Sequence, residues 1–260
     1  MKPDYKNWMP KGMVCAFLAA FLGCAAALAA VSLALADGTL KTILMIAFAV
    51  LTLVFCTMTI WSALMYRAFD YNGKRQMARQ IIDGTAAYVN LPDGGIILDV
   101  GCGSGALSIA VAKRNPKAEV MGVDRWGKEY ASFSKTLCEQ NAKAEGVTRI
   151  CFTQGDATHL QFPDETFDAV TSNYVYHNIP GDRQAYLLET LRTLKKGGSF
   201  AIHDIMSRTK YGDMQAFAEK LRDMGYEKVE LIDTTNGMFM KKSEAAWMGL
   251  SGSALLVGRK

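Results

Sequence analysis

"ILDVGCGSG", residues 97–105, is an apolar strand pattern that runs into three alternating glycines and then into "ALSIAVAKR", a helical pattern. Strand, glycine turn and helix in that order form the context in which nucleotide-like cofactors are held. Gly101, Gly103 and Gly105 carry no Cβ, so the backbone can bend sharply and a ligand can approach it closely. The turn alone does not choose a cofactor. GCGSGA satisfies both G-x-G-x-G and the dinucleotide pattern G-x-G-x-x-A. Asp124 closes the next strand, VMGVD, where a carboxylate can accept both hydroxyls of a ribose, and this suits NAD and an adenosyl ligand alike.

Around the turn, apolar runs and helical patterns alternate. The runs predict strands at 96–100, 118–123, 148–153, 167–172, 198–204, 226–232 and 253–259. The spacing predicts helices at 104–114, 127–144, 181–194 and 211–224. Apolar strands separated by helices of this length imply a mainly parallel sheet covered on both faces. No good helix is expected between the last two strands, so the final one should pair antiparallel.

Three features favour an adenosyl ligand. Asp99 stands two residues before the first glycine, where a carboxylate suits a cationic amino or sulfonium group and repels a pyrophosphate. "GDATHL", residues 155–160, follows the third strand, and Asp156 there can accept from an adenine amino group. The antiparallel ending is one that the dinucleotide fold does not need.

DVGCGSG, GVD, GDA and "FDAVTSNYVYHNI" come in the order and spacing of the class I S-adenosylmethionine-dependent methyltransferases, which residues 95–260 resemble. The resemblance implies a Rossmann-like seven-stranded α/β sheet with an antiparallel last strand, and S-adenosylmethionine at the carboxyl ends of its strands. It places Asp99, Gly101, Cys102, Gly103 and Gly105 in the cofactor turn and Asp124, with Arg125 beside it, at the ribose. Asp156 and Ala157 fall at the adenine, and Asn173 in the pocket after the fourth strand. Within the class, the chain is most similar to small-molecule enzymes acting on quinones, sterols and lipids.

Tyr174, Tyr176 and His177 follow the fourth strand, where an acceptor meets the methyl group. Methyl transfer is an in-line displacement from an activated leaving group, so positioning does much of the work and a base is needed only where the acceptor loses a proton. His177 is the best-placed base by residue type, with Tyr174 and His203 as the other catalytic candidates. His203-Asp204 closes the fifth strand and is placed to pair with His177 or to cap the next loop. His159 reads as loop surface.

The first third of the chain is different. Residues 13–36 and 42–66 contain no charged side chain. At about 1.5 Å per residue each exceeds the ~30 Å hydrocarbon core of a bilayer. The short ADGTLK between them predicts a transmembrane helical hairpin, and a second full span argues against reading Ala34-Leu35-Ala36 as a signal cleavage site. Ala19, Gly23 and Ala27 have the spacing of close helix packing. Lys2, Lys6 and Lys11 precede the first span, and Arg67, Lys74, Arg75 and Arg79 follow the second. This predicts both ends in the cytoplasm. The expected organisation is a cytoplasmic segment 1–12, the hairpin 13–66, an interfacial linker helix 67–94 and a catalytic domain 95–260. The net charge of +4 is explained by the membrane-flanking cations and calls for no nucleic-acid partner. Six cysteines without a CxxC pair suggest neither disulfides nor a metal site.

These observations converge on a membrane-anchored methyltransferase for a lipophilic small molecule or membrane lipid. A non-catalytic S-adenosylmethionine-binding membrane module and a nicotinamide-dependent reductase are the competing readings. Apolar residues in 67–90 and in "NGMFMKKSEAAWMG" (236–249) are expected to form a substrate entrance at the membrane surface.

Overall fold

The computed structural model describes residues 2–127 and 132–260. Contacts divide the chain into two compact units: residues up to Lys6 together with Arg79–Lys260, and Asn7–Ala78.

The smaller unit holds α1 (Lys11–Ala34) and α2 (Thr39–Phe69), which pack on one another. Both are long and apolar enough to cross a membrane, with mean hydropathy of 2.5 and 2.6 over their central windows. No residue of α1 is buried, and α2 presents Leu40, Ile43, Ile46 and Leu53 on its surface. The connection lies earlier than expected, at residues 35–38, because Leu35 already leaves the helical region and Thr39 re-enters it. Arg67 therefore belongs to the last turn of α2 rather than to a linker helix. Gly23 is exposed and a Cβ there would touch nothing, so the Ala19–Gly23–Ala27 row marks no tight helix contact.

The chain turns at Asp70, whose side chain accepts from Asn72 N at 3.0 Å, and resumes as α3 (Met77–Ala86). The larger unit then follows as β1 (Ile96–Val100), α4 (Ala106–Arg114), β2 (Glu119–Asp124), α5 (Lys135–Ala144), β3 (Ile150–Gln154) and β4 (Phe167–Asn173). It continues with α6 (Arg183–Arg192), β5 (Leu194–Ile205), α7 (Arg208–Tyr211), α8 (Met214–Asp223), β6 (Glu227–Asp233), α9 (Lys242–Met248) and β7 (Ser253–Arg259). Seven strands form one sheet in the order β3-β2-β1-β4-β5-β7-β6. β1 to β5 are parallel, and β7 runs antiparallel to both β5 and β6. The strand order reverses between β1 and β4, which opens a crevice at their carboxyl ends. The core fills one face of the central strands with Leu98, Val170, Phe200, Leu187, Leu191 and Phe217, all at most 1% exposed.

Three expected elements differ. The helix predicted at 127–144 begins only at Lys135, where the Ser134 hydroxyl accepts from Leu137 N at 3.1 Å and caps it; residues 128–131 of that stretch lie outside the described residues. The single helix expected at 211–224 is split at Gly212 (φ +73°) into α7 and α8. A short helix, α9, does connect β6 and β7, so the antiparallel ending is correct but the reason given for it is not.

Candidate active site

The turn after β1 is tied to the strand beside it. Gly101 N and Cys102 N both donate to Val123 O, at 2.7 and 3.1 Å. Gly103 N donates to Asp124 Oδ2 at 2.8 Å, while Asp124 Oδ1 accepts from Trp126 N at 2.7 Å. Gly155 N reaches Asp124 O at 3.0 Å, which draws the loop after β3 to the same place. The turn, Asp124 and Asp156 are thereby gathered at the carboxyl ends of β1, β2 and β3.

Two glycines are required by this geometry. Gly101 (φ +73°) lies so close to the turn after β4 that a Cβ would stand 2.1 Å from Val175 Cγ2. Gly103 (φ +56°) is the opposite case: among the described residues a Cβ there would meet only the Phe133 ring, at 3.8 Å. The cradle beside Gly103, next to the Asp124 carboxylate, is one a Cβ would enter. The carbonyls on the far side of the turn are also held. Trp126 Nε1 and Cys138 Sγ approach Gly103 O at 3.0 and 3.2 Å, and Asn141 Nδ2 donates to Ser104 O at 3.0 Å.

Asp99 does not stand in the cradle. It is 1% exposed, and its two oxygens accept from Ser108 Oγ at 2.5 Å and Thr171 Oγ1 at 2.9 Å. Burial pushes its carboxyl up to about 7 against the lowering effect of those two bonds. Through these bonds it ties β1 to α4 and β4 beneath the turn. Cys102 is buried, and burial drives its thiol well above the ordinary range. Asp156 is exposed, accepts from Thr158 N and Oγ1 at 2.8 Å, and is held below the usual carboxylate range by those bonds. Ala157 packs against the core, and Arg125 follows Asp124 with its carbonyl accepting from Gln154 Nε2 at 3.2 Å.

The three catalytic candidates meet beyond β4 and β5, but in unequal conditions. Tyr174 has a left-handed backbone (φ +54°), a conformation that costs a side-chain-bearing residue ~1–3 kcal/mol and persists where surroundings enforce it. Its hydroxyl donates to Ser253 Oγ at 2.9 Å, and burial raises its pKa far above neutrality, so it offers no phenolate base. His203 is fully buried, with Nδ1 2.8 Å from Asn173 Oδ1 and Nε2 2.9 Å from Thr234 Oγ1. Burial lowers it to about 3, so it is a neutral structural imidazole with no ring nitrogen left for a substrate. Asn173 is correspondingly committed to that ring.

His177 differs. It sits on a 3₁₀ turn, Tyr176–Asn178, partly exposed, and its Nδ1 donates to Asp204 Oδ1 at 2.5 Å. Asp204 is buried and also accepts from Ile205 N, Tyr176 N and the Tyr211 hydroxyl, at 2.7, 2.8 and 2.8 Å. Burial would raise its carboxyl, but the His177 and Tyr211 bonds outweigh it and the group is held below the usual range. A fixed carboxylate on Nδ1 sets the tautomer and leaves Nε2 as the basic nitrogen. The ring of Tyr174 stands edge-on to His177 at 5.8 Å, and the ring of Phe239 edge-on to His203 at 5.3 Å. Trp126, Cys138, Asn141 and Tyr211 were not singled out from sequence, and no local motif marks them.

Residues 91–248 match a protein family described as a methyltransferase domain. Among curated proteins, the chain is 32% identical over 136 residues to the demethylmenaquinone methyltransferase of Bacillus subtilis (strain 168), covering 52% of this chain and 56% of that protein. It is 29% identical over 153 residues to 27-O-demethylrifamycin SV methyltransferase of Amycolatopsis mediterranei (strain S699), covering 59% and 54%. The chain thus spans about half the length of the curated relatives it matches. Among solved structures, the cyclase SpnF superposes with a TM-score of 0.55 at 21% identity, covering 74% of this chain and 85% of that one. A geranyl diphosphate methyltransferase in complex with GPP and sinefungin gives 0.52 at 14% identity, covering 71% and 82%. At such identities the likeness concerns the fold.

Proposed function

The chain belongs to the methyltransferase-domain family, and from that premise we propose that it is an S-adenosylmethionine-dependent methyltransferase acting on a lipophilic small molecule that must lose a proton, at the cytoplasmic face of a membrane. The observation that carries this reading is the pairing of His177 with the buried Asp204, at the carboxyl ends of the two strands beyond the cofactor turn. The acceptors in the relatives' names, demethylmenaquinone and 27-O-demethylrifamycin SV, are lipophilic small molecules and support the substrate class.

Gly103 and Asp124 would hold the cofactor, the first through its open side and the second by accepting from ribose hydroxyls, with Asp156 at the adenine. Bound there, S-adenosylmethionine supplies a methyl group on a sulfonium leaving group. His177 Nε2 would take the proton that the acceptor loses on methylation. Asp204 holds the imidazole in register and stabilises its protonated form. Tyr174 and Phe239 supply aromatic walls.

The expected entrance gains support in altered form. A Cβ on Gly84 of α3 would stand 2.2 Å from the Phe239 ring, so α3 and the β6–β7 segment meet beside His203. Phe239, Met240 and Met248 are buried, whereas Met238 and Trp247 are 45% and 41% exposed next to Lys241 and Lys242. The exposed pair suits a headgroup boundary. Cytoplasmic placement is supported by the flanking cations, and the grouping of residues 2–6 with the catalytic domain supports both ends lying on one side, as two crossings require.

The test is calorimetric titration with S-adenosylhomocysteine and with NAD, followed by incubation with isotopically labelled S-adenosylmethionine and total membrane lipid extract. Binding of the first ligand, none of NAD, and label in an extractable lipophile are expected. Binding without transfer to any acceptor would favour the non-catalytic module.

A further inference from the structure

Residues 2–6 belong to the larger unit and make specific contacts within it. Asn141 on α5 is 2% exposed, and its amide uses both donors and one oxygen lone pair. Its Oδ1 accepts from Asp4 N at 2.7 Å, while Nδ2 donates to Asp4 O at 2.9 Å and to Ser104 O at 3.0 Å. Ser104 is the fourth residue of the GCGSG turn. One residue on, Tyr5 is buried and its hydroxyl donates to Glu145 Oε1 at 3.0 Å. Glu145 Oε2 in turn accepts from Lys113 Nζ at 2.5 Å, and Lys113 lies on α4, the helix that the turn opens.

Two routes therefore lead from the N-terminal segment to the glycine turn. One passes through a single buried amide to the Ser104 carbonyl. The other joins the end of α5 to α4. A buried amide that loses one partner must find another or forfeit the bond, so undocking the segment releases the group that holds Ser104.

We infer that residues 2–6 are a positioning element for the cofactor turn, acting through Asn141, so that cofactor affinity depends on a segment on the opposite side of the membrane hairpin in sequence. This rests on the cofactor reading above and deepens it: the turn is braced by residues that precede the first apolar helix.

The experiment uses the full chain in detergent micelles, with residues 3–5 deleted so that Lys2 and Lys6 remain. The deletion should weaken S-adenosylhomocysteine binding about fivefold, the size of one lost hydrogen bond. It should also speed amide exchange at residues 102–106. The Michaelis constant for S-adenosylmethionine should rise while kcat holds. Tyr5→Phe should give a smaller change of the same kind. Asn141→Ala should weaken binding at least as much, and combining it with the deletion should add little. Unchanged binding and unchanged exchange in the deletion variant would overturn the inference. If the intact protein bound no S-adenosylhomocysteine, the cofactor reading would fail, and the exchange rates of the turn would still decide whether the segment braces it.

Discussion

Replacing His177 with glutamine separates its two jobs. A glutamine amide can still donate to Asp204, but it has no basic nitrogen to receive a proton. Proton transfer by a positioned base contributes about 10²–10⁴ in rate, or roughly 3–5 kcal/mol of barrier. For an acceptor that must be deprotonated, kcat should fall by at least about a hundredfold, with S-adenosylhomocysteine affinity unchanged because the cradle lies beside Gly103 and Asp124. Asp204→Asn attacks the same pair from the other side. Its amide would face His177 Nδ1 with a donor and drive the ring into the tautomer whose Nε2 is protonated. It also removes an acceptor that the Tyr211 hydroxyl and three backbone amides share, so it should destabilise by ~1–3 kcal/mol and must be checked by thermal unfolding. Because the two residues act as a unit, the double variant should be no slower than either single one. The assay is the initial rate of labelled methyl transfer under saturating cofactor. A folded His177→Gln protein whose kcat stays within about threefold of the original would refute the base assignment.

Asp124→Ala should abolish measurable S-adenosylhomocysteine binding in calorimetry and, by orphaning Gly103 N and Trp126 N, destabilise by ~1–3 kcal/mol; Gly103→Val should also abolish binding, by filling the space beside the turn, and lower the melting temperature by straining a left-handed backbone. The buried Asp99 makes stability depend on pH. Its folded pKa, about 7, exceeds the unfolded value, so the folded state binds more protons between about pH 4 and 7 and stability falls as pH rises through that window. Asp99→Asn should therefore raise the melting temperature at pH 8, and the gain should vanish near pH 4. Trp247→Ser should raise the apparent Michaelis constant for a bilayer-dissolved acceptor and leave that for S-adenosylmethionine alone; Phe239, being buried, is the poorer probe because its replacement costs stability as well.

The parts legible in the sequence were those with local causes. β1 and β7 occur at their expected bounds, the first because an apolar run ends in glycine and the second because an apolar run follows a glycine pair. The meeting of Gly103 with Asp124 has the same origin, since both sit at fixed places in motifs at the ends of neighbouring strands. What stayed open was set by distance in the chain. The pairing of His177 with Asp204 was one of two placements the sequence allowed; the two are 27 residues apart and meet because β4 and β5 are neighbours. Whether His203 or His177 keeps a usable nitrogen depends on Asn173 and Thr234 closing over one of them, which no spacing rule expresses. α9 was missed because seven residues carry little periodicity, and the start of α5 because its cap, Ser134, follows an irregular stretch.

The contact between Gly101 and Val175 has a consequence for kinetics. The turn after β1 and the turn after β4 touch with no room for a methyl group between them, and Val175 is two residues from His177. Any shift of the first turn on taking up a ligand would be handed to the second, which would couple the two substrates through one steric joint. Linkage makes such communication reciprocal: whichever partner binds first sets the affinity for the other by the same factor. That joint would appear as an S-adenosylhomocysteine dissociation constant that changes when a saturating acceptor is present, and as an equal change in the acceptor's own.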